Sequence, residues 1–134
     1  MSFFLSAFTL MIAASPASAC RCKAPPAPKV AMEQATAVFV GKVVSVEPNR
    51  SHGVNVTFEV NRAWKGVDGK TMLITTPTHS CGHRFEKGKD YIVYATAKGG
   101  GVPDTNLCHR TKALSAADED LKELGDGKAP VPHE

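Results

Sequence analysis

Residues 54–60 carry the clearest pattern in the chain. Val54, Val56, Phe58 and Val60 alternate with Asn55, Thr57 and Glu59. That period of two predicts a β-strand with one face buried and the other wet. Residues 38–46 hold Val38, Phe39, Val40, Val43, Val44 and Val46 and predict an earlier strand, ended by Pro48-Asn49 and a polar loop to Gly53. Residues 71–76, with Met72, Leu73 and Ile74, predict a third strand that stops at Pro77. Residues 91–96, with Tyr91, Ile92, Val93, Tyr94 and Ala95, predict a fourth. Residues 102–108 are expected to hold a short fifth strand around Pro103-Asp104. Turns fall at Lys65-Gly66, Asp68-Gly69 and Gly88-Lys89-Asp90, and Gly99-Gly100-Gly101 makes a loop.

Two helices flank the strands. Pro25, Pro26 and Pro28 stiffen an extended lead-in over residues 23–29. Residues 30–37 then predict a short helix that buries Val30, Met32 and Ala35. A second helix is expected to start at Ser115-Ala116-Ala117-Asp118, with Ser115 capping its free backbone donors. Asp118, Glu119 and Asp120 suit a solvated first turn at the positive end of the helix dipole. Leu121 and Leu124 face inward, and Gly125 stops the helix. Residues 126–134 are expected to be a disordered tail. The whole predicts a mainly β domain, and a five-stranded, partly open barrel of the OB type suits this size.

The beginning of the chain has leader chemistry. Phe3, Phe4, Leu5, Phe8, Leu10, Met11 and Ile12 lie in an uncharged apolar stretch. It is shorter than the roughly 20 residues that span a bilayer. Pro16 breaks it, and Ala17-Ser18-Ala19 supplies the small-x-small pattern of a signal peptidase site. Residues 1–19 are therefore expected to be a cleaved signal peptide, and residues 20–125 one secreted or periplasmic domain. No second apolar run reaches membrane-spanning length. The formal charge of +3 is mild, and acids interleave with Lys and Arg, so nucleic acid is not an expected partner. A monomer is expected.

Export also governs the cysteines. Cys20, Cys22, Cys81 and Cys108 enter an oxidising compartment, where thiols pair. Bridging Cys20 to Cys22 would close a strained ring. Either Cys20–Cys81 with Cys22–Cys108, or the crossed pairing, remains open.

A cut after Ala19 makes Cys20 the first residue. Its α-amine and carbonyl then stand side by side on an edge held by a disulfide. A free α-amine has a pKa near 8, and its neutral form is a good zinc ligand. Such a head can fill the open position of a catalytic zinc, where water or substrate normally sits.

Cys20-x-Cys22 followed by Pro-rich sequence resembles the mature start of the tissue inhibitors of metalloproteinases. Ala37-Val38-Phe39-Val40-Gly41-Lys42-Val43 is similar to that family's first strand, and Trp64-Lys65-Gly66 to its aromatic-Lys-Gly turn. Thr76-Pro77-Thr78-His79-Ser80-Cys81-Gly82 resembles its Thr-Pro…Cys-Gly segment, with Cys108 in the place of a later bridging cysteine. The resemblance implies the netrin-like (NTR) domain, an OB-type barrel, and the pairing Cys20–Cys81 with Cys22–Cys108. It implies a metalloproteinase inhibitor, not an enzyme, with no cofactor of its own and a zinc metalloendopeptidase as partner. Cys20 would chelate the target's zinc, and Arg21 would enter the pocket beside it. Cys22, Lys23, Ala24 and Pro25 would form the rest of the inhibitory edge, and Thr78, His79 and Ser80 the adjoining ridge. The family usually has Ser or Thr where this chain has Arg21, and its third core disulfide and C-terminal domain have no counterpart in these residues. The alternative is a binding module that keeps the fold without inhibiting, with a protein or a polysaccharide as partner.

Other sites weigh less. His79, Cys81 and His83, with His109 beside Cys108, offer metal ligands, but export favours disulfides over thiolates, and no bound metal is expected. A thiol enzyme needs a free thiolate. No Gly-rich phosphate loop or Ser-hydrolase motif is present. Trp64 is expected in the core rather than on a binding surface. Ala17-Ser18-Ala19-Cys20 partly fits a lipid-attachment box, which makes a lipid-anchored envelope protein the minor alternative; acylation there would leave Cys81 unpaired.

Overall fold

The computed structural model describes residues 20–131. The expected leader at 1–19 and the last residues, 132–134, lie outside the described residues. β1 (Ala37–Pro48) and β2 (Gly53–Lys65) form a long antiparallel hairpin. β3 (Thr71–Pro77) pairs with β2, while β4 (Asp90–Ala95) lies on the other side of β1. β5 (Lys112–Ala113) completes one five-stranded antiparallel sheet in the order β3-β2-β1-β4-β5. Helix α1 (Pro28–Gln34) precedes the sheet and α2 (Asp118–Leu124) follows it. Among the described residues no helix is long and apolar enough to cross a membrane.

The centre of the sheet is buried on both faces. Phe39 and Val43 of β1 join Val56, Phe58, Ile74 and Val93 in one cluster. Phe58 is its hinge, edge-on to Phe39 at 5.2 Å and to Phe85 at 5.3 Å, an arrangement aromatic rings favour. Val38, Val40, Ile92 and Tyr94 point the other way, where Ala35, Ala117, Leu121 and Leu124 cover them. The two helices therefore exist to seal the outer face of β1 and β4.

A bulge decides which face the end of β2 presents. Val40 pairs with Arg62, but Gly41 pairs with Val60, so Asn61 is an extra residue. The alternation changes phase there. Ala63 packs into the first cluster and Trp64 into the second. Gly66 then turns the chain at φ +70°, where an added Cβ would overlap the Thr36 carbonyl oxygen. Only glycine fits both constraints.

Four predicted strands stand where alternation in residues 54–60 and the other apolar runs put them. The fifth does not. Residues 102–108 contribute only Asp104, which bridges Thr75 on one side and Thr96 on the other. Pro103 has no donor for a ladder, although its carbonyl accepts from Thr75 N at 3.0 Å. The fifth strand is Lys112–Ala113, too short to leave a periodic signal.

Both helices also shift. α1 begins at Pro28, and Pro28, Ala31, Met32 and Ala35 form its inner side. Val30 falls off that stripe and is 42% exposed, contrary to expectation. Ser115 does not cap α2: it lies exposed in a 3-10 turn, Leu114–Ala116, and the helix starts after Ala117 with no side-chain cap. Asp118 and Glu119 are solvated as expected, but Asp120 is wholly buried. Residues 126–131, expected as part of a disordered tail, return to β2: Ala63 and Lys128 exchange two backbone hydrogen bonds of 2.8 Å.

Candidate functional site

Cys20 is bridged to Cys81 and Cys22 to Cys108, each pair with its Cα atoms 5.0 Å apart. This is the pairing the family resemblance implies. The bridges lie side by side, with Cys20 Sγ 3.9 Å from both Cys22 Sγ and Cys108 Sγ. The sulfurs are mutually crosslinked, so their proximity offers a metal no thiolate.

The bridge at Cys81 sets the head of the domain beside the ridge. Thr78, His79 and Ser80 are exposed, as are Arg21, Cys22, Lys23, Ala24 and Pro25, while Cys20 is half-buried. Backbone contacts hold the ridge. Thr78 donates to the His52 carbonyl from its backbone N at 3.1 Å and its hydroxyl at 2.7 Å. Gly82 N donates to the His79 carbonyl at 2.9 Å, closing a turn in which an added Cβ would overlap the Pro77 carbonyl. Leu107 N donates to the Cys81 carbonyl at 2.8 Å. The ridge thus rests on the β1–β2 loop and on the segment before Cys108.

The candidate histidines go separate ways. His79 Nδ1 accepts from Cys81 N at 3.2 Å. His83 turns inward, its ring 4.4 Å from Phe85 and 5.7 Å from Tyr91. His109 Nδ1 lies 3.0 Å from the Tyr94 carbonyl. Burial holds the His83 pKa below the ordinary histidine value, against a smaller opposing effect of a backbone bond with Arg84. Its Nδ1 is buried without a hydrogen-bond partner. His83 and Phe85 form the floor of a groove of about 880 Å³ alongside the ridge, with Val46, Val54 and Leu107 in its walls.

A buried ionic cluster anchors the lead-in from the other side. Asp120 Oδ1 accepts from Arg110 Nε at 2.7 Å and from the Tyr94 hydroxyl at 2.8 Å, and its Oδ2 from Lys112 Nζ at 2.8 Å. Arg110 Nη1 donates onward to the Pro26 carbonyl at 3.3 Å. Burial pushes the Asp120 carboxyl upward, but the bonds from Arg110, Lys112 and Tyr94 outweigh it and leave its pKa below the ordinary value. The Tyr94 phenol is pushed well up, by burial first and then by the Asp120 carboxylate. Arg110 is held still more firmly protonated by its bond to Asp120. Sequence reasoning took Asp120 for a solvated acid. The available signal was spacing: Asp120 follows Ala117 by three residues and precedes Leu124 by four, on the inner face of α2.

Trp64 is half-buried. It lines a cleft of about 370 Å³ with residues 128–131, and the Arg62 guanidinium lies 5.6 Å from its ring centre. Compared with known proteins, the chain matches no family model and no curated protein.

Proposed function

We propose that the protein is a metalloproteinase inhibitor of the netrin-like kind that works by terminal chelation. The observation that carries this reading is the Cys20–Cys81 bridge, which pins an exposed backbone edge beside Thr78, His79 and Ser80. Asp104 supports the OB-type barrel by bridging Thr75 of β3 to Thr96, just beyond β4, two strands that are not neighbours in the sheet. The disulfides are compatible with a secreted or periplasmic location.

In this reading a cut after Ala19 frees the α-amine of Cys20. Its neutral nitrogen and the Cys20 carbonyl oxygen bind the target's catalytic zinc as a pair and displace the zinc-bound water. The crosslink to Cys81 matters because it removes motion the head would otherwise lose on binding. Arg21 projects into the target's pocket, and Lys23 through Pro25 and the ridge flank the cleft.

Arg21 favours a second reading. It is exposed and carries a permanent charge. Burying it unpaired in an apolar pocket is costly, so a binding module that does not inhibit is the alternative. A lipid anchor fits less well, because the Cys81 bridge occupies the sulfur it would need.

The test incubates the processed protein with a panel of zinc endopeptidases, beside a variant with one alanine added before Cys20. The expected result is inhibition by the first and none by the second. Inhibition that survives the extension defeats the chelation mechanism, and a panel left untouched favours the non-inhibitory module.

A further inference from the structure

The groove beside the ridge mixes two chemistries. Its floor is apolar: Phe85 stands edge-on to Phe58 and Tyr91, at 5.3 and 4.8 Å between ring centres. Val46 and Leu107 are 39% and 51% exposed along its walls, although both are aliphatic. Backbone bonding of Leu107 to Cys81 fixes that wall to the disulfide.

The surroundings are cationic. Arg84 lines the groove itself. Arg50 belongs to the loop whose His52 carbonyl holds Thr78, and Arg21 and Lys23 follow closely on Cys20, which is bridged to Cys81. Segments 20–28, 49–53 and 77–85 contain no Asp or Glu. Arg21, Lys23, Arg50 and Arg84 form no ion pair among the described residues. Glu86, which also borders the groove, is already paired with Lys89 at 3.2 Å.

We infer that this groove docks an acidic segment of a partner protein that also presents aliphatic or aromatic side chains. Unpaired Arg84 in the groove, with the unpaired cations on the segments tied to it, selects carboxylates and speeds encounter with them. The exposed Val46 and Leu107 and the Phe85 floor ask for apolar side chains, which a sulfated polysaccharide lacks. A protein segment supplies both. The inference goes beyond zinc chelation and stands whether or not Cys20 binds a metal.

Short random peptides displayed on phage, selected against the disulfide-intact protein starting at Cys20, test it. Enriched peptides are expected to combine Asp or Glu with Leu, Ile or Phe. Synthetic copies should bind at least about tenfold more weakly between roughly 50 and 300 mM salt. Arg84→Glu and, separately, Leu107→Asp should each weaken them at least about tenfold, with thermal unfolding confirming that both variants fold. Both positions are on the surface; should either variant misfold, Arg84→Ala and Leu107→Ser carry the same comparison. Failure to enrich any peptide overturns the inference, as does enrichment of basic or neutral sequences. So does equal binding by wild type and variants. A heparin fragment that binds more tightly than every selected peptide assigns the surface to polysaccharide instead.

Discussion

Arg110 Nε and Asp120 Oδ1 meet at 2.7 Å, at a point where Asp120 has no exposed surface and Arg110 only 9%. The contact joins the segment after Cys108 to α2, and through the Arg110–Pro26 bond it reaches the lead-in. Lys112 and Tyr94 complete the carboxylate's coordination, so all three of its neighbours donate to it.

Removing that carboxylate leaves the buried Arg110 with only the exposed Glu119, at 3.4 Å, and takes the partner of the partly exposed Lys112. Asp120→Ala is expected to destabilise the domain by about 3–5 kcal/mol, the usual cost of removing one partner of a buried ion pair. Urea denaturation measures it. A loss below about 1 kcal/mol would show that water reaches the cluster.

The same residue predicts an acid limb. The folded-state pKa of Asp120 lies below its ordinary value of 3.8. The folded state therefore holds the proton less tightly than the unfolded chain. The stabilisation is complete above the unfolded pKa and drains away as pH falls from about 4 through the folded pKa. Thermal midpoints measured from neutral pH to pH 2 should fall in that acid window for the wild type. Asp120→Asn should start lower and lose less there. Parallel curves for the two proteins would contradict the assignment.

Gly66 and Gly88 separate two kinds of glycine requirement. Both have positive φ, +70° and +87°, but only Gly66 has backbone where a Cβ would go; Gly88 faces open space. Gly88→Ala should cost about 1–2 kcal/mol, the conformational term alone. Gly66→Ala should cost about 1–3 kcal/mol more, because Thr36 must move. Equal losses on denaturation would mean that the Gly66 turn relaxes without resistance.

The chain's single tryptophan reports on the strap over residues 126–131. Gly127 lies against the Trp64 ring, held there by the Ala63–Lys128 pair. Truncation after Gly125 should shift Trp64 emission to longer wavelength as water reaches the indole. The far-ultraviolet circular dichroism should stay unchanged. Unshifted emission would mean the strap does not shield the ring.

Arg21→Thr tests target choice. If Arg21 enters the pocket of a zinc peptidase, the substitution should tighten inhibition of enzymes with apolar pockets, by about tenfold or more. Inhibition constants for both proteins on one such enzyme decide it. No gain would mean that Arg21 stays outside the pocket.

The sequence by itself determined the local elements and the pattern of the core. Alternation in residues 54–60 placed β2, apolar runs marked β1 and β4, and both are local effects of which side chains avoid water. The four cysteines were visible too, though spacing left two pairings open and only the resemblance to an inhibitor family favoured the one observed. Tertiary structure decided the rest. The Asn61 bulge moved Trp64 to the helical face, because pairing with β1 overrides strict alternation. Asp120 was drawn inside because Arg110, Lys112 and Tyr94, distant in sequence, converge on it. β5 and the Asp104 bridges arise from neighbours rather than from propensity. The groove by the ridge exists because strand pairing, the Leu107–Cys81 backbone bond and a tight turn bring separated segments together. A one-dimensional pattern records whether each residue prefers water; it does not record which distant partner makes burial of a charge affordable.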